Sequence, residues 1–467
     1  MNALLGDANQ GLLGLLVLLA VLYMISGLDD LFIDLVATAL RLEPKSLGID
    51  DIRSLHVAPE KTFAILVPAW DEGSIIDRML LGNLERIEYK NYHFFVGVYP
   101  NDPATVRKVK GLEDRYPNIH AVVNHRDGPS SKGQILNHVV RQVFEFERSS
   151  EIQFDGFLMQ DAEDLIHPKT LKLVNSRIGA YDFVQVPVFS LEVRPSALVA
   201  GTYIDEFAES HTKDILVRER LGAAIPSAGV GTALSRRLVV KLLELSGGLL
   251  NEGSLTEDYE LGVRAHGLGF RPHVACTHYG LVDGSREFIA TREFFPRRFS
   301  RSVRQKTRWT TGIALQGWRN LGWKGKFANR YFLARDRKGL FTNIATFLGY
   351  PTVLATAAYA VFVDSHPIHD LTSTSYFHVL CAGNLLLMIN RCLQRMKCVG
   401  RVYGAKALIS LPLRWPVGTT VNAFATCRAI HNDVRARFTK VTLTWSKTEH
   451  ELPEFFGKPV EQLEVAT

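Results

Sequence analysis

Apolar residues are unevenly spread along this chain. Residues 11–28 (GLLGLLVLLAVLYMISGL) carry no charge and are about long enough to cross a hydrocarbon core. A cleavable signal peptide fits poorly: no Lys or Arg precedes the run, and Asp29 and Asp30 follow it in place of a small-residue cleavage site. Two more spans are predicted at 340–363 and at 376–390, the second borrowing flanking residues to reach full length. Residues 402–427 are apolar again but contain Lys406, Pro412, Arg414 and Pro416. Both flanks of that stretch are basic, so a re-entrant or interfacial segment is preferred to a tight pair of crossings.

Between the first and second spans the pattern changes. FAILVPAW (63–70), HFFVGVYP (93–100), HAVVNH (120–125) and FDGFLMQDAED (154–164) contain short apolar runs of strand length. Helix-like stretches such as SIIDRMLLGNLERI and GQILNHVVRQVFEFE separate them. Strands alternating with helices predict an α/β domain with a mainly parallel sheet, whose ligands bind at the carboxyl ends of the strands. The expected organisation is a transmembrane helix and linker over 1–54, a cytosolic domain over 55–330, a C-terminal membrane region over 331–430 and a cytosolic tail over 431–467.

Charge placement orients this layout. Arg330, Arg335, Arg337 and Lys338 precede the second span, and Arg391, Arg395, Lys397 and Arg401 follow the third, whereas the 364–375 loop has no Lys or Arg. The positive-inside rule puts both clusters in the cytosol and the loop outside. Arg41, Lys45 and Arg53 likewise put the end of the first span inside. The total charge of +6 over 467 residues adds little to that map. A hydrophobic share of 46% and a mean hydropathy of +0.03 suit a soluble domain carried by a few spans, not a chain of spans alone. The five Cys show no CxxC pair or zinc spacing and read as reduced thiols.

Three segments carry candidate chemistry. Asp161-Ala162-Glu163-Asp164 places three carboxylates in four residues at a strand end. They repel one another unless solvent or a hard divalent ion relieves them; an acidic turn in water is the plainer alternative. Thr256-Glu257-Asp258 opens a helix-like stretch, where Thr256 with Glu260 can equally be a helix cap. Gln305-Lys306-Thr307-Arg308-Trp309 lies in a basic stretch that can simply face lipid headgroups. No Ser/His/Asp triad or catalytic Cys arrangement is seen, and Gly229-Val230-Gly231 lacks the Lys-Thr/Ser of a Walker loop.

Order and spacing join these segments. An acidic loop after the first strand, a DxD-like cluster about 90 residues on, TED about 95 further, QxxRW about 50 further and then spans resemble the family 2 processive glycosyltransferases, the cellulose, hyaluronan and chitin synthases. PAWDE, YPNDP, GPSSKGQILN, DAED, TYIDEF, PSAGVGTALSRR, SLTEDYELG and VRQKTRW are closest to the inner-membrane bacteriophage-adsorption subgroup, whose longer members carry a further C-terminal regulatory domain. The resemblance covers roughly residues 60–430.

The resemblance implies a GT-A-like nucleotide-sugar-binding domain in a bacterial inner membrane. In it Pro68, Ala69 and Glu72 hold the nucleotide, and Lys132 lies near it. Asp161 and Glu163 take Mg²⁺ or Mn²⁺, with Glu163 where the family more often has Asp. Asp258 is the general base, Glu257 and Arg308 complete the catalytic group, and Gln305 and Trp309 meet the acceptor and diphosphate. Where the second strand usually ends in a base-contacting Asp, this chain has Tyr99-Pro100, with Asn101 and Asp102 after it; Asp102 is kept as a substrate-binding candidate. The implied partners are a UDP-sugar, a polysaccharide or lipid acceptor, membrane lipids and an outer-membrane export partner, with no nucleic acid. A catalytically silent scaffold that keeps the fold is the alternative.

Overall fold

The computed structural model describes residues 2–439 apart from 283 and 364, with side chains from residue 10 onward. Its centre is a seven-stranded sheet in the order Ile119–Val123, Tyr92–Val98, Phe63–Pro68, Gly156–Met159, Thr232–Ser235, Phe183–Gln185 and Pro272–Val274. The first four strands are parallel, with Ile65 beside Phe94 on one side and Leu158 on the other. All four were legible as apolar runs because both faces of the sheet are covered. On one face Ile135, Val139 and Val143 of the Lys132–Ser149 helix pack with Phe95 and Phe157. On the other, Met79 and Leu80 of the Ile76–Arg86 helix pack with Phe94 and Val96. Thr232–Ser235 runs antiparallel to both of its neighbours, a reversal the sequence pattern does not announce.

Two small sheets frame this core. Thr291–Glu293 pairs in parallel with Val188–Ser190, carrying its acidic end toward the strand ends. Lys45–Ser46, from the linker after the first span, adds to Thr277–Gly280.

Among the described residues, three helices are long and apolar enough to cross a membrane: Gln10–Ala39, Phe327–Phe362 and Ser375–Tyr403. The expected spans are therefore extended. The first continues past residue 28 through Asp29, Asp30 and Asp34 because these acids find cations inside the protein. Asp30 pairs with Arg335 (2.9 Å) and Lys338 (2.8 Å), and Asp34 with Lys213 (2.5 Å). Glu209, on the Leu198–Glu209 helix, meets Lys213 (2.9 Å), Arg395 (3.1 Å) and Arg391. Buried charges persist only when paired this fully.

The 402–427 stretch was expected to form a re-entrant or interfacial segment. After a short turn, residues 411–439 form one continuous helix, Leu411–Thr439, so neither a re-entrant hairpin nor a pair of crossings is present. Arg414, one of the charges inside the apolar 402–427 stretch, is buried and pairs with Asp205 (2.7 Å). This helix packs on the Phe299–Thr310 helix, where Lys306 reaches Asn422 (2.9 Å). The expected boundaries at 54, 330 and 430 each fall inside a helix: Ile49–Val57, Phe327–Phe362 and Leu411–Thr439. Of the expected tail over 431–467, residues 440–467 lie outside the described residues.

Candidate active site

The Phe63–Pro68 strand ends in Pro68 and Ala69, and the chain then turns sharply at Asp71, whose φ is 56°. Asp102 fixes that turn. Its carboxylate accepts from the Asp71 N–H (2.6 Å) and from the Thr105 N–H (3.2 Å), capping the Pro103–Glu113 helix. Glu72 follows, its N–H donating to Thr105 Oγ1 (3.1 Å). The next strand delivers Tyr99, whose hydroxyl is 2.7 Å from Ser130 Oγ and whose ring meets Trp70 edge-on at 5.1 Å. Ser131 caps the Lys132–Ser149 helix and so places Lys132 at its first position.

Gly156–Met159 leads into the acidic cluster. Lys132 Nζ lies 2.5 Å from Asp161 Oδ1 and 3.3 Å from the Gly229 carbonyl. Asp164 is turned inward: one oxygen accepts from the Asp161 N–H (2.6 Å), while the other is buried with no hydrogen-bond partner. Glu257 and Asp258 open the Glu257–Gly267 helix. Gly229 has φ of 83°, and a Cβ there would strike Asp258 Oδ2 and stand 3.5 Å from Lys132 Nζ. Only glycine lets this loop pass so close to both groups.

Opposite stands the Phe299–Thr310 helix, presenting Gln305, Arg308 and Trp309. Trp309 rests edge-on against Tyr203 (6.0 Å) and near Phe207 (6.2 Å). A π-helical turn, Thr311–Gln316, continues the helix and brings Gly312 onto Thr256, with no room for a Cβ (2.5 Å to Thr256 Cγ2). Thr256 makes no side-chain cap bond, so the expected capping role is absent. Its hydroxyl and Gln305 Oε1 are both buried without a partner, and both residues line the cleft.

One cleft of about 150 Å³ gathers these parts. Pro68, Ala69, Glu72, Lys132, Asp161, Glu163, Glu257, Asp258, Gln305, Arg308 and Trp309 all line it. Asp102 does not; it supports the loop beneath. Trp70, Tyr99, Ser130 and Glu293 also line it and were not singled out by sequence. Tyr99 was noted only as a departure at the second strand end. Glu293 stood in a basic stretch with no motif around it, and only its strand pairing brings it here.

The electrostatics are those of a crowded acid cluster around a lysine. Burial depresses the Lys132 ammonium, but the carboxylates of Asp161, Asp258 and Glu257 outweigh burial and hold it raised. Burial pushes the Glu257 carboxyl up, Asp258 adds to the rise, and Lys132 opposes it. Burial also raises Asp258, against the pull of Lys132 and Arg308. Lys132, the Tyr259 N–H at the helix start and Arg308 all pull the Asp258 carboxyl down, but burial outweighs them. Asp164 is raised well above its usual range by burial and by the charges of Glu293, Asp161 and Glu163.

That crowding of acids bears on the implied metal. Among the described residues no three His, Cys, Asp or Glu side chains form a ready cage. Asp161 and Glu163 do both face the cleft with hard oxygen donors. Two carboxylates completed by substrate phosphates are how Mg²⁺ is commonly held, so the residues fit a site finished by its nucleotide.

A mostly parallel sheet whose strand ends gather acids and a lysine opposite a QxxRW helix defines a GT-A-like glycosyltransferase fold with attached membrane-spanning helices. The profile described as "Glycosyltransferase like family 2" matches residues 59–312, and the chain belongs to that family. It is 38% identical over 478 residues to bacteriophage adsorption protein B of Escherichia coli strain K12, covering 96% of this chain and 63% of that protein. Bacteriophage N4 adsorption protein B of Escherichia coli O157:H7 matches with the same figures. The chain thus spans less than two thirds of the length of these relatives. Among solved structures, a mannosyltransferase from Pyrobaculum calidifontis in complex with GDP-Man and Mn²⁺ matches with a TM-score of 0.53 and 16% identity, covering 90% of this chain and 98% of that one. At that identity the likeness is one of fold.

Proposed function

We propose that this protein is an inner-membrane glycosyltransferase that moves a sugar from a UDP-sugar onto a growing polysaccharide, with inversion at the anomeric carbon and the catalytic domain in the cytosol. The observation that carries the reading is the single cleft where Lys132, Asp161 and Asp258 face Gln305, Arg308 and Trp309. Three helices able to span a membrane and the basic clusters beside them support the location.

The residues divide the work. Trp70, Tyr99, Pro68 and Ala69 form the wall against which the nucleoside lies. Trp309, held by Tyr203 and Phe207, offers a ring face for the acceptor sugar. The unpartnered Gln305 Oε1 and Thr256 Oγ1 take hydrogen bonds with substrate hydroxyls. The acceptor oxygen attacks the anomeric carbon as Asp258 removes its proton, help worth on the order of 10²–10⁴ in rate. The bond from that carbon to the diphosphate breaks, its electron pair leaving with the diphosphate oxygen. Arg308 and Lys132 offset that charge, Arg308 through a fork of donors. Asp161 and Glu163 would hold Mg²⁺ or Mn²⁺, which supplies further positive charge for the leaving group when bound. An outer-membrane export partner suits a polymer that must leave the cell.

A catalytically silent scaffold is the second reading, favoured by the adsorption role in the relatives' names. Membranes containing the protein, given radiolabelled UDP-sugars with Mg²⁺ or Mn²⁺, separate the two. The transferase reading expects one label in a high-mass product, and its loss in Asp258→Asn. A chain that binds UDP yet transfers no sugar from the panel would overturn it in favour of the scaffold.

A further inference from the structure

A second cavity, about 780 Å³, lies apart from the cleft and shares none of its lining residues. That volume is in the range of sites for small organic molecules. Leu245, Leu250, Val263 and Leu321 give it apolar walls. Arg141, Arg264, His266 and Lys324 come to it from three separate elements.

The two arginines keep donors to spare. Arg141 donates to the Gly247 carbonyl (2.6 Å) and Arg264 to Ser246 Oγ (3.0 Å), both neutral oxygens. Among the described residues, Arg141, Arg264 and Lys324 form no ion pair, although the charge of Glu260 acts on Arg264; burial, Arg218 and Lys326 lower the His266 pKa, so the charge of the wall comes from the two arginines and the lysine. The acid deepest in the wall, Glu260, is already satisfied by Ser254 (2.8 Å), Asn251 (2.9 Å) and Asn320 (2.6 Å). The other acid, Glu252, accepts from Asn137 (3.2 Å). Spare guanidinium donors beside apolar surface suit an anion that carries an organic body, since a forked donor matches phosphate oxygens.

The three walls are the backs of the three elements that serve the cleft. Asn137 and Arg141 lie on the helix that begins with Lys132. Glu260, Val263 and Arg264 lie on the helix that begins with Glu257 and Asp258. Asn320 and Lys324 follow the π-helical turn after Trp309, and Gln316 of that turn accepts from the Leu255 N–H (2.8 Å). The loop between the walls is clamped by Asn137, which both accepts from and donates to Leu250 (2.9 Å each), and its Asn251 carbonyl sits where a Cβ on Gly133 would lie 3.2 Å away. An occupant would touch the supports of base, lysine and acceptor helix at once.

We propose that this cavity is an effector site for a phosphorylated organic anion of nucleotide size. Control of transfer through it rests on the transferase reading; binding does not. The test is titration of the purified full chain in detergent with trinitrophenyl-ATP, read by fluorescence. The wild type is expected to show two saturable classes. Lys324→Glu, at an exposed position, and independently Arg141→Glu, should each weaken one class tenfold or more while the melting temperature holds. Arg308→Ala should weaken only the other class. Both classes unchanged in Lys324→Glu and Arg141→Glu, or a single class removed by Arg308→Ala, would overturn the proposal. Loss of the Arg308-sensitive class alone from the wild type would count against the transferase reading and leave the effector site standing.

Discussion

Replacing Lys132 with Gln tests whether Asp258 is the base, because the Lys132 charge is the strongest pull against the burial that raises the Asp258 carboxyl. Lys132 Nζ and Asp258 Oδ2 both crowd the space beside Gly229, which puts them within ~6 Å of each other. Burial raises the Asp258 carboxyl; Lys132 and Arg308 oppose the rise, while Asp161 adds to it. An opposite charge at such range lowers a carboxyl by about 1–3 pKa units, or roughly 1.4–4 kcal/mol. The Lys132→Gln variant should therefore hold the Asp258 proton to a higher pH. If transfer needs the ionised form, the acidic limb of kcat/KM moves up by about 1–3 pH units. At a fixed pH below that limb the rate falls by roughly ten- to a thousandfold, and it recovers as pH rises. The assay is initial-rate transfer from the active UDP-sugar across pH, with UDP affinity measured on the same variant. A rate that drops equally at all pH values, with the limb in place, would refute the argument: Lys132 would then act on the diphosphate alone.

Other outcomes follow from the same geometry. Asp258→Asn should keep UDP affinity near wild type while turnover falls by about 10² or more; near-normal turnover would place the base elsewhere. Excess chelator should abolish transfer and restored Mn²⁺ or Mg²⁺ should return it, whereas activity undiminished in chelator would remove Asp161 and Glu163 from metal duty. Arg414→Met leaves Asp205 buried without its partner and should cost on the order of 3–5 kcal/mol in unfolding. Burial already pushes the Asp205 carboxyl up to about 6 against the pull of Arg414, so the folded form keeps its proton longer than the unfolded one and stability falls as pH rises through that value. The Arg414→Met deficit should accordingly be larger above pH 6 than below it, and a deficit independent of pH would mean Asp205 does not feel Arg414. A periplasmic reporter fused within 366–373 should be active and one fused after Thr467 silent; the reverse would place the cleft on the side without nucleotide sugars.

Much of the site was legible because its chemistry is concentrated in short segments. Asp161-Ala162-Glu163, Thr256-Glu257-Asp258 and Gln305 to Trp309 each announce themselves by charge density or an unusual aromatic-basic pair. What was not legible depends on contacts between segments distant in sequence. Glu293 reaches the cleft only because its strand pairs with Val188–Ser190. Asp102 looked like a ligand-facing acid, yet its oxygens are consumed by the backbone of its own helix and of the Asp71 turn. The 411–439 helix also depends on a distant contact. Arg414 finds its buried partner in Asp205, more than two hundred residues away, and the helix continues past Pro416.

The ion-pair cluster at the base of the long apolar helices joins them and the cleft into a single module. Within the 55–330 block, Glu209 depends on Arg391 and Arg395, Lys213 on Asp34, and Asp205 on Arg414. Every one of those partners lies outside the block. A fragment excised at its borders would carry stranded charges on the Leu198–Glu209 helix, the same helix that backs Trp309 through Tyr203 and Phe207. Trimming the long apolar helices would thus loosen the seat of Trp309, the ring that the proposed function gives to the acceptor.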